Sequence, residues 1–253
     1  MKLSLGLWIL ATLASTRMLG SEVCSFEGTT TGSYPRHHMG TVMADGARWR
    51  IAYLPNPDAV EDLSAIISGA DGKIVALNEA NHTWFYLKRR NRFEIDNSLF
   101  TFSYGQVPRA TKVTVKTRSA SHPDGAEPST IISFSYQLAA TVAGEKITGS
   151  VWGTIEIWTG SSTDCSELPW KVFELSTGLE EVDVALRAAA SSIKGVAWKS
   201  ETKVSRQMAG GAVLQQTTTR LLRPLTSAGH GAPDVTIPKG YTYQETVYGV
   251  SQP

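Results

Sequence analysis

The run Met43-Ala44-Asp45-Gly46-Ala47-Arg48-Trp49-Arg50-Ile51-Ala52-Tyr53, with Asp71-Gly72-Lys73-Ile74-Val75-Ala76-Leu77 and Asn81-His82-Thr83-Trp84-Phe85-Tyr86-Leu87 after it, decides the fold of this chain. Each segment opens on a dipeptide suited to a tight hairpin turn and continues in β-branched, apolar and aromatic residues. The spacing predicts consecutive antiparallel strands from 43 to 87. A scaffold follows from this stretch, but no chemistry comes with it.

Upstream, Lys2 precedes the apolar run Leu3 to Ala14, which ends among small residues and then meets Arg17. A membrane span needs about 20 apolar residues, so the run reads as a secretory leader over 1–21, cleaved near Ala14 or Ser21. Export places the remaining chain, 22–253, in a periplasmic or extracellular setting. Cys24 and Cys165 are the two cysteines, and in an oxidising compartment they form either a disulfide or two separate buried thiols. Closing so long a loop is worth about 4–5 kcal/mol in the chain-entropy account. The residues before Cys24, Glu22-Val23, are not the small ones that precede a lipid-anchor cysteine.

Composition is that of an ordinary folded protein: 253 residues, 42% hydrophobic, with 24 basic and 23 acidic side chains for a net charge of +1. This excludes wholesale disorder and any global attraction to nucleic acid. Neither a Pro/Ser linker nor a shift of composition divides 22–253, which therefore reads as one domain.

Alternation dominates the rest of the chain. Ile132, Phe134, Tyr136 and Leu138 share one face of a strand, with Ser133, Ser135 and Gln137 on the other. Further on, Ile147, Val151, Ile155 and Ile157 share a face with Gly149 and Gly153, while Trp152 and Trp158 lie opposite. Glycines on one face let a long strand bend. One segment has helical period: Leu179, Val182, Leu186 and Ile193 form a stripe between a Thr177/Glu180 capping box and Lys194-Gly195. A second helix is expected over 57–67 from Pro57 and Asp58. Val196 to Ser205 and Ala212 to Leu222 form a hairpin around Ala209-Gly210-Gly211. The expected fold is α+β and mainly β, a curved antiparallel half-barrel sheet with one or two helices on its concave face.

Catalytic signatures are scarce. His37 and His38 are adjacent, so their side chains diverge in a strand. His82 occupies a turn, and His122 and His230 occupy loops. Neither His37 nor His38 has a Cys, Asp or Glu partner at a metal-ligand spacing, and no HExxH or CxxC occurs. No Gly-x-Ser-x-Gly occurs, Cys165 has no histidine near it in sequence, and Asp71-Gly72-Lys73 lacks the glycine spacing of a phosphate loop. The expectation is a non-enzyme with no cofactor, catalytic residue or metal site. The cluster Lys88-Arg89-Arg90-Asn91-Arg92 reads as a solvated strand end, or as a point of peripheral contact with an anionic membrane. Tryptophans 49, 84, 152, 158, 170 and 198 fill the space between sheet and helix, unless that space is left open to a ligand.

In their order, Asp45-Gly46-Ala47-Arg48-Trp49-Arg50-Ile51, Asp71 to Asn78, Thr83-Trp84-Phe85-Tyr86, Glu156-Ile157-Trp158, Ile193 to Lys199 and Ile237-Pro238-Lys239-Gly240-Tyr241 resemble a bacterial exported family of unknown function. That family belongs to the superfamily of outer-membrane lipoprotein carriers. The resemblance implies a half-open β-barrel that binds acyl chains between sheet and helices, without catalysis. The expected function is periplasmic binding of a lipid, acyl chain or other apolar molecule, in a cavity lined by Trp49, Trp84, Trp152, Leu186 and Trp198. The alternative is an envelope component with a closed core whose partner is another protein. Assembly of two or more of His37, His38, His82, Asp71 and Cys165 around one cleft would instead point to an enzyme.

Overall fold

The structure, a computed structural model, describes residues 22–32, 35–55, 63–71, 73–86, 109–121, 128–142, 145–160, 175, 177, 179–207, 211–225 and 232–244. The segment 1–21 expected as a leader, Cys165, Trp170, His122, His230 and the basic run 88–92 lie outside them.

The Asp-Gly stretch sits inside a meander of six strands: β1 (Glu22–Gly32), β2 (Arg36–Asp45), β3 (Arg48–Tyr53), β4 (Leu63–Ser68), β5 (Ile74–Asn78) and β6 (Thr83–Tyr86). Gly46 takes a φ of +59° in the β2–β3 turn, and His82 a φ of +50° before β6. At the β4–β5 corner, and again at the β5–β6 corner, a side chain holds the backbone. The Asp71 carboxylate accepts from the Lys73 N–H (3.1 Å), and the Asn78 side-chain oxygen accepts from the Asn81 N–H (3.0 Å). A second meander holds β7 (Arg109–Ala120), β8 (Ser129–Val142), β9 (Glu145–Gly160), β10 (Val196–Gln207) and β11 (Val213–Pro224). Helix α1 (Glu180–Ala190) lies between β9 and β10, and a two-residue strand β12 (Thr242–Tyr243) follows β11.

All twelve strands form one open sheet in the order β12-β6-β5-β4-β3-β2-β1-β11-β10-β9-β8-β7. Each meander runs in chain order, and the β1–β11 pairing joins them. The sheet is antiparallel except at one edge, where β12 runs parallel to β6. There the chain returns along β6, with Thr242 N–H donating to the His82 carbonyl and Gln244 N–H to the Trp84 carbonyl, both at 2.8 Å.

Two expectations need correction. The segment expected as a second helix holds strand β4 in its described part, with Ala65, Ile66 and Ile67 all buried. A short apolar run buried on both faces carries no period that separates strand from helix, so the Pro-Asp start signal decided wrongly. Helix α1 also begins three residues after Thr177, and its N-cap position is Leu179, with no side-chain cap. Thr177 donates from both its N–H (2.6 Å) and its hydroxyl (2.7 Å) to Asp183, not to Glu180. Asp183 therefore ties the helix to the segment entering it while Glu180 faces solvent.

Residues paired across strands point to the same face of a sheet, so the register sorts the molecule into two sides. On the side bearing the helix, here the inner face, Val182 and Leu186 of α1 and its N-cap Leu179 share one buried cluster with Ala110 of β7, Ile132, Phe134, Tyr136 and Leu138 of β8 and Val151, Ile155 and Ile157 of β9. Fully burying each such aliphatic side chain contributes about 1.5–3 kcal/mol. A second inner-face cluster joins Phe26, Val42, Ala44, Trp49, Ile51, Ile66 and Leu222. The third lies on the outer face, where Ala65, Ile67, Val75 and Leu77 meet Val235, Ile237 and Tyr241 of the C-terminal segment. Arg48 and Arg50 pin that segment by donating to the Pro233 and Asp234 carbonyls at 3.5 and 3.1 Å.

Candidate functional site

Between the two inner-face clusters, the sheet carries a polar strip two rows deep. The first row runs His38, Gly28, Arg220, Ser200 and reaches Ile157. The second runs Thr30, Thr218, Thr202 and reaches Ile155. His38 and Arg220 converge over Gly28: a Cβ on Gly28 would stand 3.1 Å from His38 Cδ2 and 3.5 Å from Arg220 Cγ. The Thr30 and Thr218 hydroxyls share a hydrogen bond of 3.0 Å. Ser200 is 1% exposed and Thr30 5%, so the strip is interior in part and not a solvated sheet face. One row further, Phe26, Leu222 and Gly40 begin the second apolar cluster.

Charge is segregated across the sheet here. Glu27, Glu156 and Glu201, acids of β1, β9 and β10, all turn outward by register. Glu27 meets His37 at 3.3 Å, Glu201 meets Lys203 at 2.6 Å, and Glu156 accepts from the Ser129 hydroxyl. The Glu201 carboxylate raises the Lys203 pKa, through its hydrogen bond first and its charge second. Inward on β10 and β11 stand two arginines, Arg206 and Arg220.

The five residues expected to line a cavity are spread over the molecule. Trp49 is buried in the second inner cluster and Leu186 in the helix cluster, both on the inner face. Trp84 packs at the outer-face cluster, beside Tyr86 and Tyr243 at ring-centroid distances of 5.3 and 4.9 Å. Trp152 points outward by register and is 40% exposed. Trp198 is the additional residue where the β9–β10 register shifts, and is 37% exposed.

Of the histidines, His37 and His38 diverge to opposite faces, and His82 meets Tyr241 edge-on at 5.5 Å. Among the described residues no group of three or more His, Cys, Asp or Glu side chains is placed to hold a metal ion. Cys24 is buried, faces inward and is disulfide-bonded.

The sequence reading passed over Arg220, Ser200, Thr30, Thr202 and Thr218. Gln216, Thr218 and Arg220 share a face with Leu214 and Leu222, but their polarity gives them the look of a solvent side. Only the pairing of β11 with β1 turns them inward.

No family model matches the chain, and no curated protein matches it. Among solved structures the chain is similar to the crystal structure of a LolA superfamily protein from Nitrosomonas europaea. Identity is 10% and the TM-score 0.30, over 89% of this chain and 93% of that one. So distant a likeness leaves function to be read from the geometry of the sheet itself. No helix among the described residues is long and apolar enough to cross a membrane.

Proposed function

We infer that the protein is a non-enzymatic binding protein that holds a lipid, acyl chain or other apolar ligand on the inner face of its sheet, and that it works in the cell envelope after export. One observation carries the reading. The open sheet presents two apolar clusters on the same face, and its helix packs against the cluster of β7 to β10, while the second cluster belongs to β1 to β4 and β11. Apolar side chains grouped on one face of a sheet suit a chain-like ligand, and here they stand on both sides of the polar strip. Trp49 and Leu186, one from each cluster, are the residues of the expected lining that this ligand would meet.

The test is to purify the protein from its own envelope and examine it by native mass spectrometry and solvent extraction. Recovered lipid in stoichiometric amount is expected, and a consistently empty protein would overturn the reading. A second reading, an envelope interaction protein with a closed core, is favoured by the exposed Trp152 and Trp198. An empty interior, together with protection of those two indoles by a co-purifying protein, would favour it.

A further inference from the structure

We propose that the polar strip around Arg220 receives the anionic head, carboxylate or phosphate, of an amphiphile whose chain lies along the adjoining apolar floor. The inference rests on the inner-face reading above and names the class of ligand for it. Three observations support it.

The first is placement. Ser200 and Thr30 are buried, and the strip has Phe26 and Leu222 on one side and Ile155 and Ile157 on the other. Hydroxyl and guanidinium side chains there set hydrogen-bonding groups directly beside apolar floor, where a wholly apolar inner face would carry residues such as valine. The second is sign. Arg220 stands inward while Glu27, Glu156 and Glu201 turn outward. The third is chemistry. A guanidinium offers up to five N–H donors in a planar fork that matches carboxylate and phosphate oxygens, and the Ser200, Thr202, Thr30 and Thr218 hydroxyls beside it add donors that rotate to suit. These side chains have interactions of their own within the protein, and the head joins that network. Since the polar rows border both apolar clusters, a head at Arg220 leaves its chain over apolar floor in either direction.

The test compares ligands that share one chain length and differ only in the head: dodecanoate, dodecyl phosphate, dodecanol and dodecyltrimethylammonium, titrated into the full chain below their micelle concentrations. Dodecanoate and dodecyl phosphate are expected to bind at least about tenfold more tightly than dodecanol, with dodecyltrimethylammonium weakest. In Arg220→Gln the ratio of dodecanoate to dodecanol affinity should fall about tenfold. Arg220→Lys, which keeps the charge but not the planar fork, should keep only part of it, and Arg223→Gln, on the outer face of the same strand, should keep all of it. Should Arg220→Gln fail to fold, the wild-type ratio and the Lys variant decide the matter. Inorganic phosphate alone should not displace dodecanoate, since the chain supplies part of the affinity. Dodecanol binding with no anionic preference, a preference unmoved by Arg220→Gln, or displacement by free phosphate would overturn the head-group assignment alone. Failure of all four ligands to bind would overturn both this inference and the inner-face reading.

Discussion

At Gly153 of β9, a larger side chain would set its Cβ against the Lys203 carbonyl oxygen, with Phe134 Cζ 2.9 Å away. Neither neighbour gives way easily, because one is backbone in a paired strand and the other a buried ring. Gly153→Ala is therefore expected to lower the unfolding free energy by about 2 kcal/mol, read as a lower urea midpoint at unchanged slope. Gly46, at φ +59° in the β2–β3 turn with nothing within 4 Å of its Cβ position, is a different case. Gly46→Ala should lose about 1 kcal/mol, the strain of an alanine in left-handed backbone, and equal losses at the two sites would contradict the crowding at Gly153. Both glycines were legible in the sequence, one from its Asp-Gly turn and one as a bend in a long strand. What stands opposite Gly153 was not, because the partner depends on register with β8 and β10. The same applies to Arg220: its residue type suggested solvent, and only its strand neighbours place it among buried hydroxyls.

Among the elements, the C-terminal segment is where ionisation matters most visibly. Asp234 accepts from the Thr236 hydroxyl (2.6 Å) and N–H (2.9 Å). These hydrogen bonds, the hydroxyl's first, with the charges of Arg50 and Arg48 adding, hold its carboxyl below the usual 3.8. A depressed carboxylate contributes stability that is present above its unfolded value and lost as pH falls through its folded value. Amide protection of Thr242 and Gln244, which bond to the β6 backbone, should hold near neutrality and decline as pH drops below 3.8. Hydrogen exchange across that range checks this, and Asp234→Ala should remove the acid step while protection at neutral pH weakens slightly. An Asp234→Ala profile that keeps the full step would contradict the assignment. Elements with a clear period, β8 and α1, were readable in advance, because Phe134 and Leu186 each sit in an unbroken pattern. Strand β4 was not, since Ala65, Ile66 and Ile67 are apolar on both faces, and the cap of α1 was misassigned because Asp183, not Glu180, takes the Thr177 hydrogen bonds. The return of the C-terminal segment along β6 likewise left no local mark: the segment holding Ile237 and Tyr241 drew notice, but not its place on the outer face.

For the whole molecule, the decisive joint is β1 with β11, which pairs Phe26 with Leu222 and Thr30 with Thr218. Two local meanders, each foreshadowed by turns and alternation, become one open sheet through a contact between strands far apart in the chain, which no window of sequence contains. That joint aligns the two apolar clusters on one face and sets the polar strip between them, while the register within each meander divides the expected cavity lining between faces: Trp49 and Leu186 lie inward, and Trp84 and Trp152 lie outward. The central claim is that a ligand uses the inner face. Methyl-labelled protein titrated with dodecanoate tests it most directly by nuclear magnetic resonance. Shifts are expected at the inner-face methyls of Val42, Ile51, Ile66, Val151, Ile155 and Leu186, with Ala65, Ile67, Val75 and Leu77 of the outer face unmoved. Shifts confined to the outer set, or none at saturating ligand, would contradict the account.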